Sequence, residues 1–548
     1  RLVYYLNEEL ESRFQGFHFA SSGMTVYKFS MLQGVYLASK SPNILVIQAD
    51  QMTAQVLSLY GHRLVKTPNL ERLANAGTVF ENAYCNFPLC VPSRASMLAG
   101  RYANAMSMWD NAIEMPASIP TLAHYLRSTG YHTVLCGKMH FIGPDQIHGF
   151  NERITTDIYP SNFTWTPDWI KGERYRPTGI SMRAVIDSGV CVRGMQIDYD
   201  EEVEHAGVHK LYDLARFNSD RPFLLWVSFS HPHSPYITTQ HYWDQYEHKE
   251  IDLPSVSEFS LEEMDPMSRW LYYAHGGDLH HVTNKHIRNA RHAYYGMCTY
   301  IDDKVGRLLN TLEHVGLQNE TIVIFTSDHG EMLGERGMWY KQSFYEWSVK
   351  VPLILKVPGM NYPERVPQLV SLVDLMPTLM EIATEGNPPE LLSPVDGHSL
   401  LPLLTNPETT WENQVVSEYT GEGVIVPCRM VRRDQLKFIY THGYPDLLYD
   451  LKLDPQELDN LCGNPEYAEA ELSLRTEIFR DWNPETIYDA CIQSQQERLF
   501  IQKATDGDPN WAYRYRENDG ERFVRNSSAV DTKAKARYPF VEPTPFLR

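Results

Sequence analysis

Five stretches of the chain are apolar almost without interruption and end in polar residues: NILVIQAD, HTVLCGK, PFLLWVSFS, TIVIFTSD and VPLILKV. Continuous apolarity, rather than alternation, marks a strand covered on both faces, as in a parallel sheet. Between them lie PNLERLANAG, IPTLAHYLRSTG and YIDDKVGRLLNTLEHVG, whose apolar residues recur at helical spacing. The first two stop at Gly77 and Gly130, as helix C-termini do. Strand and helix in alternation predict an α/β domain with a doubly wound sheet. After about residue 400 the texture changes. VVSEYT and CRMVRRDQLKFIYTHGYPDLLYDLKLDPQELDNL predict a few antiparallel strands, and EAELSLRTEIFRDW predicts one helix after them. The predicted organisation is an extension over 1–40, a main domain over 41–400, a smaller α+β domain over 401–499 and a tail over 500–548. The tail is polar with scattered aromatics and has no core of its own, so it must dock onto something or stay loose.

Composition narrows the classes. A chain of 548 residues exceeds one ordinary core. With 43% hydrophobic and 12% aromatic residues it is a folded globular protein rather than a disordered one. The formal net charge of -20 argues against nucleic acid as the main partner, because phosphate neutralisation needs a basic face. A local positive pocket for a small anion stays compatible with that charge. Eight scattered cysteines include no C-x-x-C pair, which predicts mostly reduced, buried thiols and a cytoplasmic protein. No apolar run is long enough to cross a membrane, and Lys28, Ser30 and Gln33 break the one weak apolar stretch near the start. Sequons at Asn162, Asn319 and Asn526 matter only in a secreted chain.

In open α/β sheets, sites form beyond the carboxyl ends of the strands. The first strand ends at Asp50-Gln51, another at Lys138 with His140 close behind, a third at His231-Pro-His233 and a fourth at Asp328-His329, with Lys341 further on. Any one of these alone reads as a turn, cap or solvated residue. Their coincidence at four strand ends points to a site. Carboxylates meeting across a sheet edge bind hard divalent cations, and Asp50, Asp328 and His329 form such a set. Lys and Arg beside them suit a tetrahedral oxyanion, the combination needed for ester hydrolysis at sulfur or phosphorus. Cys90 and Arg94 come from CVPSRASMLAGR, after the first strand–helix unit. From residue type alone the cysteine is a nucleophile, a metal ligand, half of a disulfide, a buried structural thiol or the precursor of something else.

Cys90-Val91-Pro92-Ser93-Arg94 with the trailing ASMLAGR resembles the type I sulfatase signature. NILVIQADQ, GKMH, SHPH and TSDHGEMLGERGMWYK follow in the family order, so the resemblance spans roughly residues 42 to 541. PLCVPSRAS, WDNA, GKMHFIGPDQIHGF and RITTDIYPSNFTWTPD are similar to the choline sulfatase subgroup in particular. The resemblance implies an alkaline-phosphatase-like fold: a large doubly wound mixed sheet and a smaller C-terminal domain with an antiparallel sheet. It implies that a formylglycine-generating maturation enzyme oxidises Cys90. One hydroxyl of the hydrated aldehyde then attacks sulfur, the alcohol leaves, and the second hydroxyl expels sulfate. It assigns Asp50, Gln51, Cys90, Asp328 and His329 to one divalent metal, calcium first, with manganese or magnesium as alternatives. Gln51 stands where Asp is common and His329 where Asn is common. Arg94 and Lys138 are expected to hold formylglycine and sulfate, His140 to act as base, and His233 and Lys341 to bind sulfate and protonate the leaving alkoxide, with His231 structural. Asn111, Trp165, Glu418 and Asp531 are expected to bind the alcohol part of a small sulfate ester, choline O-sulfate first. A different alkyl, aryl or sugar sulfate, or a phosphonate or phosphate ester, is the alternative substrate. The subgroup's aromatic patch after WTPD is shortened here, with Trp169 or Tyr175 as replacements. The tail is expected to dock on a neighbouring subunit of a homo-oligomer, dimer or tetramer.

Overall fold

The computed structural model describes residues 41–176, 179–217, 221–360, 363–406, 408–505 and 529–545. The expected extension over 1–40 and residues 506–528 and 546–548 of the expected tail lie outside them. The large sheet contains β1 (Asn43–Ala49), β2 (Thr78–Tyr84), β3 (His132–Gly137), β4 (Glu152–Arg153), β5 (Phe223–Ser228), β6 (Thr321–Ser327), β7 (Lys350–Val351), β8 (Leu353–Lys356) and β9 (Arg365–Ser371). Their order is β9-β2-β8-β6-β1-β5-β3-β4, with β7 paired to β2. β1 lies at the centre, parallel to both β5 and β6, and β3 runs parallel to β5. All five apolar stretches are strands, but VPLILKV is not parallel. As β8 it pairs antiparallel with both β6 and β2. Continuous apolarity reports burial on two faces; it does not report direction.

The two-sided burial is visible in β1 itself. Ile44 and Val46 join one apolar core, and Leu45 and Ile47 join the other. Helices Cys90–Ala99, Leu122–Ser128 and Leu375–Ala383 cover the first face, and Met195–Phe217 and Asn284–His314 cover the second. The predicted helix over 300–316 is thus the C-terminal half of a longer one. β2 and β9 carry Glu81, Asn82 and Gln368 among their apolar residues, and this breaks the continuous run that identifies the other strands.

The smaller sheet pairs Gln414–Tyr419, Cys428–Arg433, Leu436–Thr441 and Leu447–Asp450 as an antiparallel meander. One face, with Val415, Met430 and Ile439, merges into the first core of the large sheet. The other, with Val416, Val431, Phe438 and Leu448, packs on Leu474, Ile478 and Trp482. Two helices follow rather than the single one expected, Ala468–Ile478 and Pro484–Ala504. The second buries few residues and shows little apolar periodicity, so its pattern does not announce it. Its buried residues include Gln495 and Arg498, which serve polar contacts. Arg498 holds Asp110 with two bonds of 2.6 and 2.7 Å, and Gln495 accepts the Trp169 amide.

Helix Ala529–Ala536 and the residues after it lie on the same chain's main body. Arg537 donates to the carbonyls of Asp187 and Val190, Thr544 donates to Asp187, and Tyr538 pairs with Arg193. In this single chain the end of the tail therefore docks in cis. All eight cysteines are free, and none is fully exposed. Among the described residues no helix is long and apolar enough to cross a membrane.

Candidate active site

The site forms where the strands end, and local chain geometry aims each group. Gln51 follows β1 with a positive φ of 64°, unusual for a residue with a Cβ. This turns its N–H onto Asp328 Oδ1 at 3.1 Å, so that the β1 and β6 ends lock together. β3 ends on Gly137, φ 101°, where an added Cβ would stand 1.9 Å from the Ser228 carbonyl oxygen. Only glycine lets β3 approach β5 so closely, and Lys138 and His140 follow directly. His140 also has a positive φ, 61°, held by its N–H on Asp157 Oδ2 at 2.5 Å. Two such residues at one site are backbone strain stored where the chemistry is expected.

Cys90 is the first residue of a helix that runs to Ala99 and ends on Gly100 in the left-handed region, φ 65°. Pro92 falls in the first turn, where a missing N–H costs nothing. Leu89 offers no side-chain cap; Asn111 Oδ1 accepts the Val91 N–H instead, at 3.0 Å. Cys90 thus sits at the positive end of the helix dipole. Its Sγ is 3.3 Å from His329 Nε2, 3.6 Å from Lys138 Nζ and 4.0 Å from Asp50 Oδ1.

Asp50, Cys90, Asp328 and His329 are all buried, and their ligand atoms lie within 4.8 Å of one another. The donor set fits a divalent cation. His329 Nδ1 donates to the Gly330 carbonyl at 3.1 Å, which fixes the tautomer and leaves Nε2 bare toward the cluster. Burial lowers the His329 pKa to about 4, so the ring is neutral at pH 7, as a ligand must be. Burial opposes the charged form of Asp328, but Arg94, His329, Lys138 and the Gln51 N–H together outweigh it and hold the carboxyl below the ordinary range. Two carboxylates with one imidazole suit a hard to borderline cation; the nitrogen is off-type for calcium.

Arg94 does not face the space above Cys90. Its guanidinium is spent on Asp328 Oδ2 at 2.8 Å, Ser228 Oγ at 2.9 Å, the Lys138 carbonyl at 2.8 Å and Asp50 Oδ2 at 3.2 Å. It ties the strand ends and both carboxylates together, instead of meeting a sulfate as expected. Lys138 Nζ contacts Asp50 and also lies 4.4 Å from the centre of the Tyr159 ring. Burial disfavours its charge, but Asp50, Cys90 and Asp328 together more than compensate, and the pKa stands above the ordinary value.

A narrow cavity opens on Cys90. Its walls include Asn111, His140, Tyr159, Trp165, His233, Lys341, Glu422 and Lys533. Both His140 ring nitrogens are without a protein partner, and burial keeps this imidazole below its ordinary pKa. His233 Nδ1 donates to the Ser234 carbonyl at 2.7 Å, so Nε2 accepts from Lys341 Nζ at 2.9 Å. Burial, then Lys341, push the His233 pKa far down. Lys341 also contacts Gln51 Oε1. His231 pairs instead with Asp200 at 2.6 Å, away from the cavity, in keeping with a structural role.

Two expectations for the substrate wall change. Glu418 does not line the cavity. It lies inside a strand directly opposite Arg429, with an N–O distance of 3.7 Å, and accepts the Asn104 N–H at 3.0 Å. Glu422, in the loop after that strand, does line it, with Oε2 buried and unpartnered. Burial, then Asp110, raise the Glu422 carboxyl to about 8. The sequence signal was available: a group beyond a strand end is better placed for a site than one within it. Trp169 packs on Tyr488 and Tyr175 meets Lys171, so neither replaces the shortened aromatic patch. Tyr159, its ring centre 5.5 Å from that of Trp165, fills that place. The side chain of Asp531 lies outside the described residues. Lys533, two residues on, enters the cavity, donates to the Ser234 carbonyl at 3.3 Å and stands 5.5 Å from the Tyr159 ring centre. Burial, then Lys341 and Lys138, lower its pKa to about 7.

Comparison with known proteins follows the same lines. The Sulfatase family profile matches residues 42–385, and that of the N-sulphoglucosamine sulphohydrolase C-terminal region matches residues 334–482. A choline-sulfatase of Rhizobium meliloti is 39% identical over 516 residues, covering 92% of this chain and 99% of that protein. Arylsulfatase K of Gallus gallus is 31% identical, over 84% of this chain and 86% of that protein. The crystal structure of a phosphonate monoester hydrolase of Agrobacterium radiobacter superposes with a TM-score of 0.64 at 24% identity, covering 80% of this chain and 95% of that one. The last likeness concerns the fold, which is of the sulfatase and alkaline-phosphatase-like type.

Proposed function

The chain belongs to the sulfatase family, and within that family of sulfuric ester hydrolases we propose that it hydrolyses choline O-sulfate through a formylglycine made from Cys90. The observation that carries this reading is the position of Cys90. It heads a buried helix, within reach of Asp50, Asp328, His329 and Lys138, at the floor of a cavity walled by Tyr159, Trp165 and Glu422.

Asp50, Asp328 and His329, with Gln51 beside them, would hold a divalent cation, calcium first with manganese or magnesium as alternatives, which would supply positive charge to the sulfuryl oxygens when bound. Lys138 adds a fixed cation at the same place. His140, neutral and with free ring nitrogens, is placed to take the proton that leaves the hydrated aldehyde. Lys341, which donates to the neutral His233, is placed to protonate the departing alkoxide. Arg94 positions the carboxylates and touches no substrate.

The alcohol half of the ester faces Tyr159, Trp165 and Glu422. Aromatic faces attract a quaternary ammonium by about 0.5–2 kcal/mol each, more when water is excluded. Glu422 supplies the opposite charge once ionised. Lys533 occupies the Tyr159 face, and an incoming ammonium takes over that seat. The eight free cysteines support a reducing, cytoplasmic compartment. The contacts of the tail serve equally in trans between subunits of a dimer or tetramer.

The test compares kcat/KM for choline O-sulfate, a neutral alkyl sulfate and an aryl sulfate, using enzyme whose Cys90 peptide carries formylglycine by mass spectrometry. A preference for choline O-sulfate of tenfold or more supports the assignment. Equal or better use of the other two overturns the choice of substrate.

A further inference from the structure

Beneath the cavity lies a carboxylate that neither the sequence reading nor the reaction above employs. Glu331 is fully buried and ends the turn that carries Asp328 and His329. Its Oε1 accepts the N–H groups of Leu333 at 3.0 Å and Tyr340 at 2.6 Å. Its Oε2 accepts the Tyr236 hydroxyl at 2.9 Å and the Gln51 side-chain amide. Two backbone bonds hold one oxygen in place, which aims the other at Gln51.

An amide side chain has a donor end and an acceptor end, and its surroundings decide which way it faces. Gln51 stands between Glu331, an acceptor, and Lys341, an ammonium with donors only. One orientation satisfies both: Nε2 to Glu331 and Oε1 to Lys341. The reverse sets a carbonyl against a carboxylate and an NH2 against an ammonium. Lys341 in turn donates to His233.

We propose that Glu331 is a positioning residue that fixes the Gln51 amide, so that Oε1 faces Lys341 and the cation site and the Gln51–Lys341–His233 chain is ordered for leaving-group protonation. This inference rests on the function proposed above for the role of Lys341; the orientation of the amide stands on geometry alone.

The test is a reciprocal swap. In Glu331→Gln the new amide keeps its oxygen on the two backbone N–H groups and presents NH2 to Gln51, which must reverse. The expected result is a loss of kcat of tenfold or more on an alkyl sulfate, with a smaller loss on 4-nitrophenyl sulfate, whose leaving group needs no proton. The shift in melting temperature produced by added calcium should also shrink. The double variant Glu331→Gln/Gln51→Glu restores one donor facing one acceptor, and should recover most of the alkyl sulfate activity and the calcium-induced shift. Equal losses on both esters, or a double variant no better than the single one, overturn the proposal. If Glu331→Gln does not fold, Gln51→Leu, which leaves the Glu331 backbone bonds intact, must show the same alkyl-selective loss. If the wild-type enzyme hydrolyses neither ester, the functional reading fails, and the swap is judged on the calcium-dependent melting alone.

Discussion

Replacing Arg94 with methionine separates two roles that its motif position confounds. Methionine fills a similar volume and brings no donor. Four buried hydrogen bonds are lost, two of them to ionised carboxylates. Asp50 keeps Lys138, but Asp328 Oδ2 loses its guanidinium partner. A hydrogen bond to a charged group contributes about 1.5–3 kcal/mol. Deleting one member of a buried ion pair costs about 3–5 kcal/mol. Both figures describe the same contacts, so they are not summed, and the expected destabilisation of the metal-free protein is about 3–5 kcal/mol. For a chain of this length that corresponds to at most about 2 °C per kcal/mol, a drop of up to roughly 6–10 °C. A bound cation neutralises the orphaned carboxylate, so the drop should be smaller in saturating calcium than in chelator. The assay is thermal melting at one scan rate in both conditions, with kcat and KM measured alongside. KM should move little, because the guanidinium does not line the cavity. Unchanged melting in chelator together with a KM raised tenfold or more would refute the reasoning and place Arg94 on the sulfate.

Cys90→Ala should abolish turnover, by at least about a thousandfold, with melting nearly unchanged; substantial residual activity removes Cys90 from the chemistry. Trp165→Ala should raise KM for choline O-sulfate by about 2- to 30-fold, the equivalent of one cation–π contact, and spare a neutral alkyl sulfate; an equal effect on both esters removes Trp165 from the ammonium wall. A Glu422 carboxyl that titrates at about 8 is mostly protonated at pH 7 and gains its charge as pH rises, so 1/KM for choline O-sulfate should increase between pH 7 and 9. That increase should vanish in Glu422→Gln, and its persistence assigns the titration elsewhere. Lys533→Met should lower KM for the cationic ester and leave the neutral one near its wild-type value; a raised KM for both makes Lys533 a sulfate ligand.

The sequence by itself determined the fold class, most of the central strands and the sheet edge on which the candidate site lies. Five continuous apolar runs can be buried only between two layers, and chain polarity forces the residues after parallel strands onto one edge. Asp50, Lys138, His233 and Asp328 could therefore be placed without coordinates. What only the tertiary structure decided is which polar groups face one another. Glu418 and Glu422 are four residues apart and equally acidic, but cross-strand pairing gives the first to Arg429 and leaves the second for the cavity. Arg94 belongs to the same motif as Cys90, yet its guanidinium is held by Asp50, Asp328, Ser228 and the Lys138 carbonyl, groups brought in by the ends of other strands. Tyr159, Glu331 and Lys533 gain their places through contacts spanning from nine to hundreds of residues of chain. Periodicity records how a residue is buried within its own element. It holds no information about the partner that arrives from elsewhere, and in a buried site it is that partner that sets charge, orientation and access.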